Sequence, residues 1–153
     1  MKRLIYLVLI AELMSNAASA QKIAADKVPI AVASALTAKF PSATKTSWEI
    51  ENTNEYEAGF KLNGEEVSAN FDNTGKWLET ETEIKVSDLP FAVLEALAKD
   101  FAGFKIEEAS KIESSKDGNC FEAEVEKGEE AFDVLFTSDG KVISKTKLEA
   151  EKD

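Results

Sequence analysis

The chain has 153 residues, with 18 basic and 29 acidic side chains, a formal net charge of −11 and no histidine. This length suits one ordinary domain or two small ones, and the charge excludes nucleic acid and anionic lipid as partners, since both call for a basic surface. Without imidazole the chain can build neither a Ser-His-Asp triad nor a zinc–histidine site.

Residues 1–20 have the pattern of a signal peptide. Lys2 and Arg3 precede the apolar run Leu4 to Ala11, and Ala18-Ser19-Ala20 resembles a cleavage site. The apolar run, interrupted by Glu12, is far short of the roughly 20 residues a membrane-spanning helix requires, so no membrane insertion is expected after cleavage. No cysteine stands at the cleavage site to carry a lipid, and a periplasmic or secreted product beginning at Gln21 is expected. Taking Lys2, Arg3 and Glu12 from the 18 cations and 29 acids leaves 16 and 28, a net of −12, and every remaining cation is lysine. The sole cysteine, Cys120, has no partner for an intramolecular disulfide and no histidine to activate it, so it reads as a strand residue.

Residues 21–27 read as a polar lead-in. A helix follows from about Pro29 to Phe40, with proline in its first turn and Pro41 to stop it. Its ridge is Val28, Val32, Leu36 and Phe40. The period then changes from 3.6 to 2. Trp48 and Ile50 alternate with Glu49 and Glu51, and Tyr56, Ala58, Phe60 and Leu62 with Glu57, Gly59 and Lys61. Asn63-Gly64 is a two-residue hairpin signal. Val67, Ala69 and Phe71 then alternate with Glu66, Ser68 and Asn70, and a turn at 73–75 leads to a strand from Lys76 to about Ile84.

A second helix is predicted from about Pro90 to Ala102, with Ser87 and Asp88 as capping candidates and Gly103 as terminator. Its ridge is Leu89, Val93, Leu97 and Phe101. A strand from about Lys105 to Glu113 turns back at Asp117-Gly118. Phe121, Ala123 and Val125 alternate with Glu122, Glu124 and Glu126; a turn at Lys127-Gly128 leads to Phe132, Val134 and Phe136. Asp139-Gly140 opens the last strand, about Lys141 to Leu148.

The two halves repeat. Pro29 and Pro90 are offset by 61, as are Phe40 and Phe101; Tyr56 and Phe121, Phe71 and Phe136, and Gly75 and Gly140 are offset by 65. Slippage confined to loops is what a duplicated supersecondary unit shows. The predicted fold is therefore α+β, as two tandem helix-plus-four-strand antiparallel repeats, residues 28–84 and 85–148, followed by a tail at 149–153. Both helices pack on one face of the sheet, and strict alternation implies that the other face is open to water.

A Leu-Pro or Val-Pro opening a short helix, an aromatic ending it, and the succession Tyr56-Glu57-Ala58, Gly64-Glu65, Phe71 and Gly75-Lys76-Trp77 resemble the PepSY-like family. The resemblance spans both halves, roughly Val28 to Leu148. It implies a tandem fold like that of the β-lactamase inhibitor protein, a small exported protein of the bacterial envelope, and inhibitor or binding behaviour. No motif matches the inhibitor's contact loops, so none of its binding residues is carried over.

By parity the open face carries Glu49, Glu51, Glu57, Lys61, Glu66, Ser68 and Asn70 from the first half. From the second it carries Glu122, Glu124, Glu126 and Asp133. Rows of like charge on neighbouring strands cost stability, so this face is the candidate contact surface for a protein or peptide; a merely solvated face is the plainer explanation. Trp77 shares parity with Glu79, Glu81 and Glu83, which places it on the acidic face as an anchor, but the aligned Val142 looks buried, so core and anchor both remain open. Trp48 reads as core. The 72–75 and 137–140 segments lack EF-hand spacing and are explained by turns. No catalytic, cofactor or metal residues are identified. The expectation is a non-enzymatic binding module, with a hydrolase or protease inhibitor and a calcium-binding acidic protein as alternatives.

Overall fold

A computed structural model describes residues 21–116 and 118–148. The predicted leader, the Asp117 half of one predicted turn and the tail lie outside the described residues. Nine strands form one antiparallel sheet in strict chain order. Strand β1 (Gln21–Ile23) precedes helix α1 (Ile30–Lys39), and β2 (Thr44–Asn52), β3 (Glu55–Leu62), β4 (Glu65–Asp72) and β5 (Trp77–Glu83) follow it. Helix α2 (Phe91–Asp100) is followed by β6 (Lys105–Ser114), β7 (Gly118–Lys127), β8 (Glu130–Thr137) and β9 (Val142–Lys147).

The ninth strand is the one that sequence reading takes for a polar lead-in. Gln21, Lys22 and Ile23 pair with Ile50, Glu49 and Trp48. Three residues give too short a stretch for alternation to register, and the partner strand decides the conformation. Ser87 and Asp88 do not cap α2: they belong to a 3-10 turn at Val86–Asp88, and Pro90 occupies the cap position with no side-chain hydrogen bond.

Register puts both helices on the same face. Ala58 pairs with Ala69, Ala69 with Thr80, Thr80 with Glu113, and Ala109, two pairs along from Glu113, with Ala123. Side chains of directly paired residues share a face, so the first apolar row continues without inversion into the second. Val28, Val32 and Leu36 are buried with Trp48, Ala58, Phe60, Val67, Ala69 and Phe71. Leu89, Val93, Leu97 and Phe101 are buried with Ala109, Ala123, Val125, Val134 and Phe136. The core is thus two clusters side by side, joined by the β5–β6 ladder from Glu79↔Ser114 to Glu83↔Ser110.

Turns fasten each half to its helix. Asn63 and Gly64 both take positive φ, 54° and 96°, as a two-residue hairpin loop requires. Before β5, Asp72 Oδ1 accepts hydrogen bonds from Thr74 N at 2.9 Å and Lys76 N at 3.0 Å, which lower the Asp72 pKa behind the larger effect of the Thr74 hydroxyl. Gly75 in that turn lies directly against the Ala31 carbonyl of α1, and Gly140 lies against the Ala92 carbonyl of α2.

Candidate functional site: a carboxylate-lined sheet face

The face away from the helices is continuous across the sheet. Glu49 pairs with Glu57, Glu57 with Asn70, Asn70 with Glu79 and Glu79 with Ser114. The next row runs Ser47, Gly59, Ser68, Glu81, Ile112, Cys120 and Thr137. Farther along, Glu122 pairs with Ser110 and Leu135, Glu124 with Glu108 and Asp133, and Glu126 with Lys105. Lys61 pairs with Glu66, their charged groups 2.6 Å apart. Register therefore brings Glu49, Glu57, Lys61, Glu66, Ser68, Asn70, Glu122, Glu124, Glu126 and Asp133 onto one surface.

Trp77 is not on it. Asn70 pairs with Glu79 but Phe71 pairs with Trp77, a register shift that inserts Leu78 as an extra residue and turns the strand over. The indole packs against the α1 cluster. Its Nε1 donates to Thr80 Oγ1 at 2.9 Å, and Lys39 Nζ lies 3.9 Å from the ring centroid. The same shift recurs in the second half, where Leu135 pairs with Ser144 but Phe136 with Val142. The halves therefore agree in register, the apparent conflict between Trp77 and Val142 coming from assuming unbroken alternation, but Val142 is 39 % exposed and not buried as its alignment implies. Trp77→Ala removes packing, one hydrogen bond and a cation–π contact; it lowers stability by about 2 kcal/mol, measurable by urea unfolding.

Nor is the face openly wet, as alternation alone implies. Asn70 is 0 % exposed, Glu81 3 % and Asp133 7 %, and Glu55 and Ser110 are buried as well. Ile112, Cys120 and Leu135 form a small apolar cluster there. Side chains of neighbouring strands crowd one another on this face: Glu81 is buried beside Ser68 and Ile112, the residues it pairs with.

Crowding makes these carboxyls poor acids. Burial, then the neighbouring Glu51 carboxyl, pushes the Glu57 pKa up to about 9. Burial followed by the charges of Glu81 and Asp133 pushes Glu122 up to about 9. Burial raises Glu81 and Asp133 to about 7 each. Glu55 is handled differently: it accepts hydrogen bonds from Asn52 Nδ2 at 2.9 Å and Asn70 Nδ2 at 3.0 Å. Three other side chains have buried oxygens with no hydrogen-bond partner, namely Ser68 Oγ, Asn70 Oδ1 and both carboxylate oxygens of Glu81. Ser110 sits near enough to Glu81 to favour its anion slightly but does not reach either oxygen with hydrogen-bond geometry. Sequence parity places Glu81 beside a tryptophan on the strand's outer side and gives no sign that it is buried; the pairing of the strands decides that.

Among the described residues, no group of three or more acidic or cysteine side chains is arranged to hold a metal ion. No helix among them is long and apolar enough to cross a membrane.

Among the described residues, one antiparallel sheet with both helices on one face defines an α+β protein. The chain belongs to the PepSY-like family, described as "Putative beta-lactamase-inhibitor-like, PepSY-like", whose profile matches residues 14–67 and 54–144. A β-lactamase-inhibitor-protein-like (BLIP-like) protein from Bacteroides fragilis is 28% identical with a TM-score of 0.68, over 80% of this chain and 88% of its own. A DUF2874 family protein from Bacteroides uniformis is 24% identical with a TM-score of 0.71, over 78% of this chain and 88% of its own. A Bacteroides eggerthii protein described as "putative periplasmic" is 22% identical with a TM-score of 0.72, over 78% of this chain and 88% of its own. Among curated proteins, none matches the chain.

Proposed function

We propose that the protein is an exported, non-enzymatic binding module that contacts a protein or peptide through its acidic sheet face. The observation that carries this reading is the face's internal cost. Four carboxyls there have pKa values raised to between about 7 and about 9, and acceptors of Ser68, Asn70 and Glu81 are buried without partners. A surface serving only solubility would keep such groups in water. Export is supported by the leader pattern of residues 1–20 and by the periplasmic description of a similar structure. We read the two halves as tandem helix-plus-four-strand copies, with β1 added at the edge; the matching contacts of Gly75 on α1 and Gly140 on α2 support this.

Hydrolase inhibition is the second reading, favoured by the family description and by the BLIP-like relative. An affinity pull-down from the envelope fraction of the producing cell tests the first. Glu124→Lys reverses charge in the row formed with Glu108 and Asp133 and should abolish capture of the partner, while Trp77→Ala should retain it. Full retention by Glu124→Lys would place the binding surface elsewhere. A panel of envelope hydrolases assayed with and without the protein tests the second reading; unchanged rates throughout would count against it.

A further inference from the structure

We propose that the unpartnered oxygens of Ser68, Asn70 and Glu81, on β4 and β5 of the acidic face, receive one basic side chain, lysine or arginine, of the bound segment. This rests on the reading that this face binds protein or peptide, and it names the chemistry of the contact. Ser68 and Glu81 are directly paired, and Asn70 lies one same-face position from Ser68. Together they present four buried oxygens with no hydrogen-bond partner. The Asn70 amide is fixed in orientation by chemistry: its Nδ2 donates to the Glu55 carboxylate at 3.0 Å, and a carboxylate only accepts, so the Oδ1 must point the other way.

The unmet groups are thus acceptors, with the Ser68 hydroxyl able to donate as well, and Glu81 brings a charge when ionised. A ligand that satisfies them brings several N–H donors and a positive charge, which describes an ammonium or a guanidinium. The row alongside is lined by small residues: Gly59 pairs with Ser68, and Ser47, whose hydroxyl donates to the Gly59 carbonyl at 3.3 Å, lies beyond it. The other neighbours facing Glu81 are Ser110 and Ile112 on β6, Glu79 on its own strand, and the carboxyls of Glu57, Glu108, Glu122 and Asp133. None of these is a cation.

Protonation sets the sign of the pH dependence. Burial, then the charges of Glu79, Asp133 and Glu108, holds Glu81 at about 7. A cation favours the anion, so binding must release a proton and tighten as pH rises.

The test uses capped tripeptides with a central arginine, lysine or norleucine, and calcium chloride alone, each titrated into the leader-free protein at pH 8. The readout is NMR shifts of the Asn70 side-chain amide and of the β4 and β5 backbone amides. Saturable shifts confined to those groups are expected with arginine or lysine. They should be absent with norleucine, weakened at least tenfold in Glu81→Gln, and several-fold weaker at pH 6. Glu81→Gln keeps the shape and removes a buried charge, so it should fold, and its thermal melt checks that. Equal shifts with norleucine would overturn the pocket but leave peptide binding at this face standing. Shifts scattered over surface glutamates, shifts unchanged in Glu81→Gln, or saturation by calcium alone would each overturn it, as would no shift with any probe. The pull-down with Glu124→Lys judges the broader reading separately.

Discussion

Gly140→Ala should destabilise the protein by about 3 kcal/mol or more, lowering its melting temperature by about 10 °C. An alanine Cβ there would stand 2.3 Å from the Ala92 carbonyl oxygen, and the residue holds φ at +82°. The positive φ alone costs an L-residue roughly 1–2 kcal/mol. The clash adds more, because the obstacle is helix backbone and not a side chain that can turn aside. Gly75→Ala should behave alike, with its Cβ 2.6 Å from the Ala31 carbonyl oxygen and φ at +84°. Gly64→Ala is the control. Its φ is +96° but nothing lies within 4 Å of the added Cβ, so it should lose only the conformational share. Urea unfolding of the three variants separates strain from contact; equal losses in all three would show that the helix–turn contact contributes nothing.

The protein should be more stable at pH 5 than at pH 8, its melting temperature higher at pH 5 by roughly 10 °C or more. Glu57 and Glu122 are raised to about 9, and Glu81 and Asp133 to about 7, against ordinary values of 4.5 for Glu and 3.8 for Asp. A carboxyl with a raised folded value holds its proton more tightly in the native state than in the unfolded chain. The native state therefore loses stability as pH climbs from the ordinary carboxyl value through the folded one. Glu51, raised by burial, acts in the same direction. Asp72, Asp139 and Glu113 are lowered, so they lose their charge below the window from pH 5 to 8 and do not oppose the trend. Melts followed by circular dichroism at both pH values check this. The combined Glu57→Gln and Glu122→Gln variant should flatten the difference, since an amide has no proton to lose. A protein equally stable at both values would mean that these carboxyls are better hydrated than their burial indicates.

Local patterns made much of the fold readable. Val32 and Leu36, like Val93 and Leu97, recur at helical spacing and are buried on the helices where the spacing puts them. Trp48 alternates with glutamate and is buried on the helix side. Asn63-Gly64 specifies its turn because few residue pairs accept two positive φ values. The misses have a common source. β1 is too short to show a period and exists through pairing with β2. Leu78 is the extra residue of a bulge, and a bulge has no signature in an alternating string; it moves Trp77 from the acidic row into the α1 cluster.

By itself, then, the sequence determined what depends on near neighbours along the chain: two amphipathic helices, eight alternating strands, their turns, the excess of acid and the lack of imidazole. Only the tertiary structure decided what depends on strands meeting each other. Pairing added β1, the bulges set which way Trp77 points, and strand packing buried Asn70, Glu81 and Asp133 on a face that alternation reads as wet. Desolvation is a property of that assembled surface. No residue's own sequence neighbours reveal that Asn70 and Glu81 end up buried side by side with acceptors left to fill.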